Sequence, residues 1–137
     1  MQVSEVMHKG VITVQINDSI RKVAALMKRE DIGAVPVYKN ERPVGFVTDR
    51  DIVVSSIAQG HPIDDPISHA MSRDIVCVYE EDDLSRASKL MKDNQISRLL
   101  VLNRGENPVG MLSLHDLAQY VNDEEFKSET ITEIKRS

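Results

Sequence analysis

The chain has 137 residues, of which 41% are hydrophobic and 4% aromatic, and its formal net charge is −5. This length suits one ordinary domain or two small ones that share a core, and that core must be aliphatic. The acidic balance, the lack of a long basic run and the scarcity of aromatic rings argue against nucleic acid as a partner.

The first half of the chain predicts the order strand, helix, strand, strand, helix. Residues 11–14 are apolar and predict the first strand, and Asn17, Asp18 and Ser19 follow as N-cap candidates. Apolar residues then recur at the spacing of one helical face, namely Ile20, Val23, Ala24 and Met27. Residues 34–38 and 44–47 predict two buried strands around a polar turn, and Thr48 is expected to start the second helix.

The second half of the chain predicts the same order of elements. Residues 75–78, 99–102 and 109–112 predict its strands, and Asp82 is the expected N-cap of its first helix. The apolar face of that helix is expected to comprise Leu84, Ala87 and Met91. The only cysteine, Cys77, lies between two valines, which favours a structural strand position over a catalytic one.

The two halves are an internal repeat. Residues 3–7 (VSEVM) return as residues 67–71 (ISHAM), and residues 43–45 (PVG) return as residues 108–110 after one inserted residue near Gly105. A segment with one glycine and two prolines separates the copies. We therefore expect repeats at residues 1–60 and 61–122, and a charged tail at 123–137.

The most informative motif occurs once in each repeat. It reads glycine, two apolar residues, a hydroxyl residue, two variable residues and aspartate, from Gly45 to Asp51 and from Gly110 to Asp116. One interpretation is a capping box, in which Thr48 or Ser113 and the aspartate stabilise a helix start. The other is that the same groups bind a nucleotide, since a hydroxyl and free N–H groups suit a phosphate and a carboxylate suits a ribose diol.

In these motifs the sequence resembles the CBS domain family, whose members occur in tandem as Bateman-type modules. The resemblance covers residues 3–120 and rests on Met7, on residues 32–37 (IGAVPV) and on residues 45–52 (GFVTDRDI). The second repeat departs from the pattern, with Leu100 in place of Pro36. The resemblance implies an α+β fold of two pseudo-symmetric β-α-β-β-α repeats packed sheet to sheet, with ligand clefts between them.

The resemblance also implies a role for individual residues. It places ribose and phosphate on Thr48 with Asp51 and on Ser113 with Asp116. It places the adenine base of the ligand against two sets of strand residues, which are Ile12, Thr13, Ala34, Val35 and Pro36 in the first repeat and Val76, Cys77, Leu99 and Leu100 in the second. The expected ligand is AMP, ADP, ATP, S-adenosylmethionine or an NAD-like dinucleotide, acting as a regulatory ligand and not as a cofactor.

Three basic residues are candidates for phosphate binding. Arg50 and His115 occupy matching positions before the motif aspartates, and Arg98 replaces Ala34 in the second repeat. Because the histidine side chain is the one that commonly changes charge between acid and neutral pH, a ligand site that includes His115 is expected to bind more tightly at lower pH. The alternatives are that Arg50 and His115 point to solvent and that Arg98 lies at a solvated strand end.

Two other classes of function compete with ligand sensing. An enzyme is disfavoured, because the sequence has no common catalytic motif and its four histidines share no ligand spacing, so neither catalytic nor metal-binding residues are expected. A metal site at an interface between two chains stays open. A dimerisation or protein-interaction scaffold with silent ligand pockets remains the alternative.

The expected assembly is a homodimer in the cytoplasm. The second helices carry excess apolar residues around residues 52–54 and around Leu117 and Ala118. The resemblance to the CBS domain family implies association through these same helices. The single cysteine fits a reducing compartment, and no signal peptide or membrane-spanning run occurs. No membrane partner is expected, while a regulated protein that the sequence does not identify stays open.

Overall fold

The computed structural model describes residues 1–120, and the predicted charged tail at 123–137 lies outside the described residues. The chain divides into two compact units. The central unit comprises Ile12–Ile75, and of the described residues the terminal unit combines Met1–Val11 with residues 76–120. These units cut across the sequence repeats, because the leading segment of each repeat belongs to the unit that contains the other repeat's motif.

Each repeat begins with a short 3₁₀ turn, and its elements then follow in the predicted order, except that the first repeat has an additional short strand, β1, which was not predicted. The strands are β1 (His8–Lys9), β2 (Val14–Gln15), β3 (Ala34–Lys39), β4 (Arg42–Thr48), β5 (Cys77–Tyr79), β6 (Arg98–Leu102) and β7 (Pro108–Ser113). The helices are α1 (Ile20–Glu30), α2 (Asp49–Asp51, continued by a π-helical segment at Ile52–Ile57), α3 (Leu84–Asn94) and α4 (Leu114–Tyr120). The 3₁₀ turns span Val3–Glu5 and Ile67–His69.

The central unit is a three-stranded sheet in the order β2-β3-β4, with α1 on its apolar face. Strand β2 is parallel to β3, and β3 is antiparallel to β4. The Ser19 hydroxyl caps α1 by accepting from Lys22 N–H at 3.1 Å, which confirms the predicted helix start. Of the predicted helical face, Ile20, Val23 and Met27 are buried in the core, whereas Ala24 is half-buried beside it.

The terminal unit has four strands in the order β1-β7-β6-β5. The predicted face of α3, formed by Leu84, Ala87 and Met91, is buried in its core. The N-cap of this helix is Asp83, whose carboxylate accepts from Ser85 N–H at 3.1 Å, so the prediction of Asp82 was wrong. Asp82 instead accepts from the backbone N–H of Tyr79 at 3.0 Å and so closes the turn before the helix.

Both motif glycines lie where two backbones meet. Strand β4 exchanges two hydrogen bonds with Ser72, from Phe46 N–H at 2.9 Å and to Phe46 C=O at 2.8 Å. A Cβ on Gly45 would lie only 2.2 Å from the carbonyl oxygen of Ser72. In the terminal unit, β1 pairs with β7, and a Cβ on Gly110 would lie 2.5 Å from the carbonyl oxygen of His8. Glycine is therefore required at both positions for space.

The predicted first strand of each repeat is shorter than expected. Residues 11–13 and residues 75–76 are not part of a strand, and pairing begins at Val14 and Cys77 respectively.

Over residues 1–120, no helix is both long enough and apolar enough to cross a lipid bilayer.

Candidate functional site

In the central unit, Thr48 and Asp51 form a reciprocal pair at the end of β4. The hydroxyl of Thr48 accepts from Asp51 N–H at 3.0 Å, and Asp51 Oδ2 accepts from Thr48 N–H at 2.9 Å. This is the capping box that the spacing predicted. The capping box uses Oδ2 of Asp51. Among the described residues, no basic side chain forms an ion pair with the other carboxylate oxygen, Oδ1.

The terminal unit repeats this pair with Ser113 and Asp116. Asp116 Oδ2 accepts from Ser113 N–H at 3.0 Å, and the Ser113 hydroxyl accepts from Asp116 N–H at 3.1 Å. Here the second carboxylate oxygen is also engaged, because Oδ1 lies 3.0 Å from Nε2 of His8. Asp116 is buried, whereas the His8 side chain is 77% exposed.

The contact from His8 was not predicted from the sequence. His8 comes just after the segment that recurs as residues 67–71, and the matching position after that second copy is Ser72. Only an alignment of the two repeats could have indicated this difference, since it places His8 opposite Ser72. The two motifs therefore differ in how much of the aspartate is already bonded.

The predicted base-contact residues of the first repeat lie on neighbouring strands. Ala34 is directly opposite Thr48 in the sheet, and Pro36 lies two residues further along the same strand. Ile12 and Thr13 immediately precede β2 and are half-buried. Val35 is fully buried in the core, so its side chain is committed to the core on the other face of the sheet.

The corresponding residues of the second repeat have the same strand register, but one backbone hydrogen bond is present only in the second repeat. Cys77 is paired with Leu100, and Leu99 is fully buried in the core. The backbone N–H of Leu100 donates to the carbonyl oxygen of Val76 at 3.1 Å. Pro36 has no N–H and cannot make the equivalent bond to Ile12.

Cys77 has the properties of a structural thiol. Its burial, with a smaller contribution from the negative charge of Glu106, raises the pKa of the Cys77 thiol. A raised pKa keeps the thiol protonated and unreactive near neutral pH. This agrees with the structural interpretation of this residue.

The three phosphate candidates differ in their surroundings. Arg50 is exposed in α2, next to Asp51. Nε2 of His115 lies 3.2 Å from the side-chain amide nitrogen of Gln119, one turn further along α4. Arg98 is exposed at the first position of β6, directly opposite Ser113. Arg98 is thus at an exposed strand end, as one alternative predicted. Its position opposite Ser113 also places it next to the second motif.

Only part of the apolar set predicted for association is exposed on the second helices, namely Val53 and Val54. Ile52 and Leu117 are buried in the cores of their own units, and Ala118 is half-buried. In the π-helical segment, Val53, Val54 and Ile57 are 55%, 44% and 57% exposed. We call these three residues the apolar patch.

Sequence reasoning also missed a histidine cluster. One ligand atom from each of His61, Asp65 and His69 can be chosen so that all three lie within 4.8 Å of one another. The signal was present in the sequence as histidine, aspartate and histidine at successive intervals of four residues. It was overlooked because the segment reads as a linker.

Comparison with known proteins identifies the family. The CBS domain model matches residues 3–57 and 67–123. The CBS domain-containing protein YhcV of Bacillus subtilis is 36% identical over 132 residues, which are 96% of this chain and 94% of that protein.

Solved structures have the same fold. The CBS domain protein PAE2072 of Pyrobaculum aerophilum, complexed with AMP, has a TM-score of 0.74 at 24% identity and covers 96% of this chain and 99% of its own. The CBS domain pair of protein MJ0100, in complex with 5-methylthioadenosine and S-adenosyl-L-methionine, has a TM-score of 0.71 at 23% identity, with coverages of 87% and 94%. This chain belongs to the CBS domain family and contains two CBS repeats.

Proposed function

We propose that this chain is a regulatory module that binds an adenosyl ligand and does not transform it. The observation that carries the proposal is the geometry of Asp51, which caps its helix with one carboxylate oxygen and leaves the other without a basic partner among the described residues. Two proteins of the same fold are complexed with adenosyl compounds, AMP in one case and S-adenosyl-L-methionine in the other.

Ribose is the proposed partner of the second oxygen of Asp51. A carboxylate oxygen that accepts from a hydroxyl makes a charge-assisted hydrogen bond, which is about twice as strong as a neutral one. Thr48 and the exposed Arg50 are close enough in sequence to serve the ligand's phosphate, through a hydroxyl and a permanent positive charge respectively. The helix cap and the ligand contact then use different carboxylate oxygens of Asp51.

The base is proposed to lie against Ile12 and Pro36. Since Pro36 cannot donate a backbone hydrogen bond, the carbonyl oxygen of Ile12 is left to accept from the amino group of an adenine ring. At the matching position of the second repeat, Leu100 N–H already occupies the carbonyl oxygen of Val76. A guanine ring presents a carbonyl where adenine presents an amino group, so this position favours adenine.

The second site is proposed to be the weaker one. Its aspartate, Asp116, is already engaged by His8, and its backbone acceptor at Val76 is already engaged by Leu100. A ligand there must displace both contacts or bind without them. Arg98, which lies opposite Ser113 where the first repeat has Ala34, is the proposed permanent charge for a ligand's phosphate at the second site, as Arg50 is at the first.

The chain is also proposed to form a homodimer through the apolar patch. Val53, Val54 and Ile57 are exposed aliphatic side chains of one short segment, Ile52–Ile57, and exposed apolar groups that cluster in this way favour an interaction surface. An isologous pairing across a two-fold axis would bury the patch of each copy against that of the other.

Thermal unfolding tests ligand binding without assuming which nucleotide binds. Because a ligand that binds only the native state stabilises it, AMP or S-adenosylmethionine in large excess should raise the Tm. GMP serves as the matched control, since it keeps the ribose and phosphate and changes only the base, and it should raise the Tm less.

The scaffold function is the second candidate. Both capping boxes are complete without a ligand, so the motifs stabilise their helices in either case. An unchanged Tm with every adenosyl compound would reject ligand sensing and leave the scaffold.

A further inference from the structure

We propose that His61, Asp65 and His69 form a binding site for a divalent transition metal, with zinc as the ion that suits it best. The site is independent of the nucleotide motifs and lies wholly within the central unit, in the segment that follows the π-helical turn. Its donors are two imidazole nitrogens and one carboxylate oxygen.

The distances already approach those of a coordinated ion. Nδ1 of His69 lies 3.2 Å from Asp65 Oδ2, and Nδ1 of His61 lies 3.9 Å from the same oxygen. Zinc bonds of about 2.0–2.2 Å in tetrahedral geometry separate neighbouring ligand atoms by about 3.4 Å. The distance from His69 to Asp65 therefore needs almost no adjustment, and that from His61 to Asp65 needs to shorten by roughly half an ångström. The two imidazole nitrogens can be chosen within 4.8 Å of each other and must also approach to about 3.4 Å.

The backbone holds the three residues in place. Asp65 N–H donates to the carbonyl of Pro62 at 3.0 Å, and the carbonyl of Asp65 accepts from Ile20 N–H at 2.9 Å at the start of α1. His61 N–H donates to the carbonyl of Ser56 at 3.0 Å. His69 ends the 3₁₀ turn that begins at Ile67, whose side chain is fully buried. A frame fixed in this way limits the entropy lost when a metal is bound.

The charges around the site are compatible with a cation. The guanidinium of Arg21 is bonded to the neighbouring Asp64 at 3.1 Å, so it does not neutralise Asp65. The side chains of the three donors are between 30% and 46% exposed, which leaves a path for the metal and for water.

The donor types select the metal. Imidazole nitrogen favours zinc and its transition-metal neighbours over magnesium and calcium, which prefer all-oxygen sites. Three protein donors leave one position of a tetrahedral ion for water. Both histidines lie near the same oxygen of Asp65, and their rings are also in contact, with centroids 5.4 Å apart.

Calorimetric titration of zinc chloride into metal-free, untagged protein tests this site. We expect one zinc ion per chain, and cobalt(II) in its place should give the intense visible absorption of a four-coordinate ion. His61→Ala, Asp65→Asn and His69→Ala should each weaken zinc binding at least tenfold, since each removes one of three donors.

His8→Ala is the matched control, because His8 also faces a carboxylate, that of Asp116, but lacks a third donor. It should leave zinc binding unchanged. Unfolding curves recorded with a chelator identify any variant that has lost its fold. Absence of zinc binding in the wild type would overturn the proposal, and so would zinc affinity that survives in all three folded site variants.

Discussion

Gly45→Ala should destabilise the protein by about 3 kcal/mol or more, the largest stability effect that we expect from a single methyl group. The added Cβ would lie 2.2 Å from the carbonyl oxygen of Ser72, which is a backbone atom and cannot rotate away. Relief of the overlap requires β4 and the chain at Ser72 to separate, and this breaks their two mutual hydrogen bonds. The midpoint of urea unfolding gives the change in free energy.

Gly33→Ala is the control for this substitution. Its Cβ would approach a side-chain oxygen of Asp49 at 3.2 Å, and the exposed Asp49 can move aside. We expect a change within about 1 kcal/mol, because the two variants share the same effect on the unfolded chain. Equal unfolding midpoints for Gly45→Ala and the wild type would show that the close approach at Ser72 does not exist in solution.

Val53→Asp combined with Ile57→Asp should convert a dimer into a monomer. Both side chains belong to the apolar patch, and in a two-fold interface each substitution occurs twice. Burial of four unpaired carboxylates costs several kcal/mol, which is enough to abolish association at micromolar concentration. Light scattering should give the mass of two chains for the wild type and of one chain for the variant.

Gln59→Asp controls for the added negative charge. Gln59 is exposed just beyond the π-helical segment and outside the apolar patch, so this variant should remain dimeric. A wild type that is monomeric at micromolar concentration would reject the homodimer, and a double variant that stays dimeric would exclude the apolar patch as the interface.

The order of the elements was predictable because each repeat has strong local signals. The helical face through Ile20, Val23 and Met27 and the apolar strand at β3 both follow from hydrophobic spacing, and both are confirmed. The N-cap of α3 was misplaced by one residue, since Asp82 and Asp83 are chemically equivalent and only the turn geometry assigns their roles.

What the sequence did not predict depends on contacts between distant residues. The pairing of β1 with β7, and hence the contact of His8 with Asp116, joins residues from opposite ends of the described chain. A two-residue strand has no periodicity to detect. The convergence of His61, Asp65 and His69 is local by contrast, and it depends on a turn and a 3₁₀ segment that hydrophobic spacing does not predict.

The motif itself was recognised, but its asymmetry was not. The spacing of Thr48 and Asp51 predicts a capping box and permits a ligand site, and the structure confirms the box. One carboxylate oxygen of Asp51 has no basic partner among the described residues, whereas both oxygens of Asp116 are engaged. This difference follows only from the position of His8. The pH dependence proposed for the second site through His115 stays a prediction, and the ring of His115 faces Gln119 on its own helix.

Calorimetric titration of AMP into the wild type, Asp51→Asn and Asp116→Asn tests the central claim most directly. Asparagine can still accept the backbone hydrogen bond of the cap, so both variants should fold, but it lacks the charge that strengthens a bond to ribose. Because a hydrogen bond to a charged group contributes about 1.5–3 kcal/mol, Asp51→Asn should weaken AMP binding by about tenfold or more, whereas Asp116→Asn should have the smaller effect. AMP affinity that is the same in all three proteins would contradict the account and leave both aspartates as helix caps alone.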